Sequence, residues 1–298
     1  MHTINDRFRN VRFEGRTTQR PLSTLRPLKW QRPLPQGAIA AEDLRFLADL
    51  FEQAGLELQG YRLSSLQRRM RACCRALRVP NATEARALLG RAPHMVPRAL
   101  DAVVLGVSEF FRDPAVFEEL RTRVIPELAA VSRPLRVMSI GCADGRELYS
   151  VAILLADGNL LDDCSLLGID CREDAIAQAR AGLFSPAALE RVPDEWRERY
   201  FAGRGVLFEI SSAIRRRTTW CVGNLFKLPP LPACDLLLFR NVSIYLEPNG
   251  AAQAWRCILP LVRPNGAVVL GKAERQPETS GLTKIGSSIY RRVSGDSN

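Results

Sequence analysis

The stretch LRVMSIGCADGRELYS, residues 135–150, constrains the fold of this 298-residue chain more than any other. An apolar run feeds a turn containing Gly141 and Gly145, and an amphipathic helical period follows. That order opens a nucleotide-type α/β unit, in which glycines let the backbone approach a ligand closely. A second apolar run, SLLGID, ends on Asp170. A carboxylate at the end of the next strand can accept both ribose hydroxyls of a nucleoside. A dinucleotide would require Gly-x-Gly-x-x-Gly, whereas Gly141-Cys-Ala-Asp-Gly145 suits a single nucleoside. Two glycines in such a turn also have a purely geometric reading.

From Leu135 onward, strand and helix patterns alternate. Strands are expected at 135–140, 166–169 and 235–239, and helices at 146–156, 173–181 and 248–261. This alternation predicts a mostly parallel sheet with helices on both faces. The last strands, 267–270 and 287–290, read as antiparallel. Residues 200–222 hold short extended pieces with turns and read as a small antiparallel insertion. Upstream, 42–54 and 63–77 have helical periods, with Gly55 as a stop, and short helices follow near 84–89 and 97–105. In the second of these helices Leu66, Met70, Cys73 and Cys74 face inward, and Arg68, Arg69, Arg71 and Arg75 form a basic ridge. Residues 39–106 therefore read as an all-helical N-terminal domain. Residues 107–114 carry Ser108-Glu-Phe-Phe-Arg-Asp-Pro114, where two aromatics, read as exposed, beside an Arg and before a Pro predict a packed linker. Residues 115–298 form the α/β domain.

The net charge of +10 admits nucleic acid, anionic membrane or acidic protein as partners. Part of it lies in residues 1–36, where eight Lys/Arg face only Asp6 and Glu14. With four prolines and no period, residues 1–38 read as a disordered basic arm, open to acidic partners or to no dedicated role. No segment approaches the roughly 18 apolar residues of a membrane span, and no signal-peptide pattern opens the chain. Eight cysteines without Cys-x-x-Cys spacing predict reduced thiols and a cytoplasmic protein. His2 and His94 are the only histidines and lack cysteines at ligand spacing, so no metal site is expected.

Several motifs converge on one family. They are Ser108-Glu-Phe-Phe-Arg112, Gly141-Cys-Ala-Asp-Gly-Arg-Glu-Leu-Tyr-Ser150, Gly168-Ile-Asp170, Ala179-Arg-Ala-Gly182, Asn224-Leu225, Asp235 to Tyr245 and Gly271-Lys-Ala-Glu274. In these, over roughly residues 40–293, the chain resembles the chemotaxis receptor methyltransferases, the CheR family. The resemblance implies a class I, Rossmann-like methyltransferase fold, S-adenosylmethionine as methyl donor and S-adenosylhomocysteine as product. The acceptors it implies are glutamates on the helices of a methyl-accepting receptor, converted to methyl esters. By resemblance, Arg112 and Tyr245, with Arg240 beside them, orient the acceptor. Asp170 accepts the ribose hydroxyls, and Glu147 lies near the methionine part. Ser108, Arg112, Gly141, Gly145, Asn224, Leu225, Arg240 and Asn241 complete the cofactor pocket. The ridge on 62–78 gains a role as an electrostatic dock for glutamate-rich helices. The insertion corresponds to a β-subdomain that in some members holds a receptor tail by strand addition. The short Gly203-Arg-Gly205 connection resembles the tether-independent variety.

The chain departs from the family pattern at four points. Arg146 replaces the first of two glutamates after the turn, and Leu148 replaces a following proline. Gly106 stands where an Asn is common, and Ala273 where a Ser is common. A cation at 146 could oppose a sulfonium ligand, point to solvent or bind an acceptor carboxylate. These departures motivate one rival, a non-catalytic scaffold that has kept the fold. The basic charge motivates another, a nucleic-acid methyltransferase. Arg240-Asn241-Val242-Ser243 in place of Asn/Asp-Pro-Pro-aromatic argues against the second.

Overall fold

The computed structural model describes residues 39–104, 106, 108–277 and 280–293. The basic arm expected at 1–38 lies outside the described residues. The parallel strands form because their apolar runs can be buried on both faces. β1 (Leu135–Ile140) and β2 (Cys164–Asp170) pair in parallel over their whole length. Two short strands follow, β3 (Leu183–Phe184) and β4 (Phe201–Arg204), and then β5 (Leu207–Ile210). These three make a separate antiparallel sheet in the order β3-β5-β4. Gly205, at φ +64°, turns the β4–β5 hairpin.

β6 (Thr218–Val222) corrects the expected insertion, because it joins the main sheet and pairs in parallel with β2. Its β-branched and aromatic residues suit a half-covered sheet edge. β7 (Cys234–Phe239), β8 (Val262–Leu270), β9 (Leu282–Lys284) and β10 (Ile289–Arg292) complete a seven-stranded sheet, ordered β6-β2-β1-β7-β8-β10-β9. Both pairings of β10 are antiparallel, as expected for the chain's end. β9 was not foreseen, since three residues give little period to read. β8 starts before Pro264, so the register shift opposite Cys234 and Leu236 absorbs the Pro-Asn-Gly segment expected to end the preceding helix.

The period-2 alternation sorts the strands between two cores. Leu135 and Val137 of β1 and Leu236 and Leu238 of β7 pack with the helix Arg146–Asp157. Met138, Ile140, Leu237 and Phe239 join the opposite core. That second core runs without a break into Phe46, Leu47, Leu50 and Phe51 of the helix Ala41–Gln53. The helical region is thus packed against one face of the sheet.

The helix expected over 63–77 is two helices, Leu63–Gln67 and Met70–Leu77. Between them Arg69 leaves the ridge and donates from Nε to the Ala102 carbonyl at 3.3 Å. Arg68, Arg71 and Arg75 remain exposed, and Cys74 is only half-buried. The linker aromatics are the other correction. Phe110 and Phe111 are buried, Phe110 edge-on to Phe184 and Phe201, Phe111 against Phe117 and Trp196. Among the described residues, no helix is long and apolar enough to cross a membrane.

Candidate functional site

The chain runs out from β1 to β2 and β6 on one side, then returns to β7 on the other. Strand order therefore reverses between β1 and β7, the place where open α/β sheets bind ligands at their carboxyl ends. A cavity of about 330 Å³ lies there, bounded by Gly141, Asp170, Arg172, Leu225, Asn241, Tyr245 and Arg112, with Tyr61 closing it from the helical region. A smaller recess adjoins it, between Ser108, Arg112, Glu147, Arg240 and Asn241.

The turn after β1 is built from backbone. Gly141 stands at φ +73°, and a Cβ there would run into the Val242 side chain. The Ala143 N–H donates to Asp170 Oδ2 at 2.8 Å, which fixes the turn to the end of β2. Gly145, at φ +85°, packs against Trp220 and Ala179 beneath the turn. It is not among the residues bounding the cavity.

The linker places Arg112 between two residues in the left-handed region, Phe111 at φ +49° and Asp113 at φ +63°. Such backbone is held only where its surroundings over-determine it. Ser150 Oγ accepts from the Phe111 N–H at 2.9 Å, and Arg240 Nη2 donates to the Arg112 carbonyl at 2.9 Å and to Asp113 Oδ2 at 2.7 Å. Arg240 Nη1 donates to Glu147 Oε2 at 3.1 Å, and Ser139 Oγ to Glu147 Oε1 at 3.0 Å. Arg240 is therefore a buried hub with most of its donors committed to the protein. Burial pushes the Glu147 carboxyl up, against the pull of Arg240 and Ser139. Burial also pushes Asp113 up, but Lys272, Arg240 and Arg112 outweigh it and hold that carboxyl below its ordinary value.

The turn after β7 is fixed by a residue the sequence reading passed over as a site member. Glu274 is buried, and its Oε1 accepts from the N–H groups of Val242 and Ser243, both at 2.8 Å, and from Ser243 Oγ at 3.0 Å. Its Oε2 accepts from Asn241 N at 2.8 Å and Gly271 N at 2.7 Å. A carboxylate with this many donors fixes backbone as firmly as a regular ladder would. Its sequence signal was the motif Gly271-Lys-Ala-Glu274, an acid three residues beyond a glycine that ends an apolar strand.

Tyr245 follows directly. Its carbonyl accepts from Arg62 N at 2.8 Å, and Arg62 Nε donates to the Leu246 carbonyl at 2.8 Å, so the helical region holds this segment from outside. Asn224 is placed differently from expectation. Its Oδ1 accepts from Phe226 N at 2.9 Å and its Nδ2 donates to the Gly55 carbonyl at 3.1 Å, which spends the side chain on a short helix and on the helical region. Arg146 donates from Nε to Asp144 Oδ2 at 2.8 Å and is not among the residues bounding the cavity, so an acid two positions away answers its charge.

The site fits an adenosyl cofactor on its own terms. Asp170 stands at the end of β2, and Ser108 Oγ and Arg240 Nε, in residues that bound the recess, are buried without a partner among the described residues. Such atoms cost stability unless something bonds them.

Residues 106–290 match the family described as CheR methyltransferase, SAM binding domain. A probable chemotaxis protein methyltransferase of Rhizobium etli is 30% identical over 208 residues, which cover 64% of this chain and 76% of that protein. A probable biofilm formation methyltransferase, WspC, of Pseudomonas putida is 27% identical over 265 residues, covering 85% of this chain and 62% of that protein. An uncharacterized 104.1 kDa protein of Rhodobacter capsulatus is 30% identical over 246 residues, 80% of this chain but 26% of that protein. The chain thus spans about a quarter of one of these relatives and less than two thirds of another. The matched region takes in the linker, the strand-end turns and the cavity between them, and the chain belongs to the CheR methyltransferase family, with S-adenosylmethionine as the cofactor of this domain.

Proposed function

We propose that the chain methylates glutamate side chains of a signalling receptor, giving glutamyl methyl esters. The observation that carries this reading is that Arg112 and Tyr245, from distant parts of the chain, bound the same cavity as Asp170. When bound, S-adenosylmethionine supplies a sulfonium methyl group, and an oxygen–carbon bond to it forms as the sulfur–carbon bond breaks. A glutamate nucleophile is ionised already at neutral pH, since it titrates near about 4.3, so the site needs no general base. Its work is alignment and exclusion of water. Arg112 offers a planar fork to the acceptor carboxylate, and the Tyr245 hydroxyl steers it. Arg240 acts through the linker as a positioning residue, holding the Arg112 carbonyl and Asp113. Asp170 takes the ribose, and Glu147 faces the methionine end. Exposed Arg68, Arg71 and Arg75 give a cationic surface suited to a glutamate-rich receptor helix in the cytoplasm.

Incubation with methyl-labelled cofactor and a glutamate-rich receptor helix should give label that alkali releases as methanol. Absent or alkali-stable label overturns the reading. Arg112→Ala and Tyr245→Phe should each lower transfer about 100-fold, with S-adenosylhomocysteine affinity nearly unchanged by calorimetry. An equal loss of both would remove the acceptor-orienting roles.

A further inference from the structure

Asp170 already accepts three hydrogen bonds from the protein. Its Oδ2 accepts from Ala143 N at 2.8 Å. Its Oδ1 accepts twice from Arg172, from the backbone N at 3.0 Å and from Nε at 3.1 Å. Oδ1 thus already holds two donors of Arg172 and Oδ2 holds one, which leaves Oδ2 the more open of the two oxygens. A ribose presents two neighbouring hydroxyls. With Arg172 on Oδ1, Asp170 presents its two oxygens to that pair unequally.

Arg172 is held there from three sides. It is buried, and its Nη1 donates to Asp101 Oδ1 at 2.9 Å, on the helix Val96–Val103 of the helical region. Its guanidinium occupies the space beside Gly106 that any Cβ there would need. The absence of a side chain at 106 and the presence of an arginine at 172 are thus one steric fact. Arg172 also bounds the cavity beside Asp170.

We infer that Arg172 is a positioning residue that restricts ribose recognition by Asp170 to one hydroxyl, and that Asp101 and Gly106 tie this restriction to the helical region. The inference rests on the reading of Asp170 as the ribose acceptor. If Arg172 were only a bridge between regions, its removal would change stability and leave the pattern of hydroxyl recognition alone.

The test is calorimetric binding of S-adenosylhomocysteine and its 2′-deoxy and 3′-deoxy analogues to the unaltered protein. One analogue should lose about tenfold or more in affinity and the other less than about threefold, since a hydrogen bond to a charged group contributes on that scale. Equal losses overturn the inference while leaving the cofactor reading standing. Failure of S-adenosylhomocysteine itself to bind sinks the cofactor reading, and the inference with it. In Arg172→Leu, Oδ1 loses its side-chain donor and both analogues should lose affinity alike. Gly106→Ala, which drives the guanidinium away without deleting it, should move the pattern the same way and serves if the leucine variant does not fold. Asymmetry that persists in the folded variant assigns it to another residue and overturns the inference.

Discussion

At the end of β1 the chain bends through Gly141, at φ +73°, whereas at the end of neighbouring β7 it bends through Asn241, at φ +59°. Glycine populates that region freely, and the rest of the first turn is held by the Ile169 carbonyl, which accepts from Gly141 N and Cys142 N, and by Asp170, which accepts from Ala143, itself at φ +52°. A residue with a Cβ does not enter that region freely, although Asn is among the better tolerated. The second turn is accordingly clamped by Glu274, which gathers the N–H groups of Asn241, Val242 and Ser243. The two turns touch, since Gly141 leaves the space that Val242 fills. A ligand wall can be made from conformational freedom or from an imposed buried charge, and this site uses one beside the other.

If the comparison holds, Glu274→Ala is the most damaging change, because it strands several buried donors at once. Urea unfolding should show a loss of roughly 3–5 kcal/mol, with Glu274→Gln intermediate because it keeps one acceptor. A loss below about 1 kcal/mol would mean the second turn does not need its clamp. Gly141→Ala should cost less, about 2 kcal/mol, from the left-handed backbone and the collision with Val242. Val242→Ala should recover the collision part in a double-mutant cycle, and strict additivity would separate the two turns.

The smallest effect concerns acid, and it touches only the second turn, through Arg240. Asp113 has a folded value below its unfolded one. Its contribution is present above the unfolded value, near about 3.9, and is lost as pH falls through the folded value. Glu147, raised by burial on the other side of Arg240, works oppositely: its contribution is full below its unfolded value and is lost as pH rises through the folded one. The stability gap between the unaltered protein and Asp113→Asn should therefore narrow as pH drops below about 4. A gap that stays constant would show that Asp113 does not titrate against the Arg240 hub.

The same contrast explains what could be read in advance. The Gly141 turn announces itself within sixteen consecutive residues, because strand period, glycine and helix period are local properties of the chain. The helix Glu173–Ala181 and the parallel order of β1 and β2 follow from signals of the same kind. The strand Thr218–Val222 was misplaced because a five-residue extended run does not reveal which sheet it will join. The exposure of Phe110 and Phe111 was misjudged because their covering residues, Phe184, Phe201 and Trp196, come much later in the chain.

The sequence by itself determined the α/β alternation, the glycine turn, the carboxylate at the end of β2 and, through motifs, the family. Tertiary structure alone decided how those side chains are spent. Arg240 reaches the Arg112 carbonyl across 128 positions, Arg172 reaches Asp101 across 71, and Glu274 reaches Asn241 across 33. Asn224 bonds Gly55 across 169. Periodicity records which face of an element is apolar. A hydrogen bond between distant residues leaves no such record, because its partner is chosen only when the elements pack.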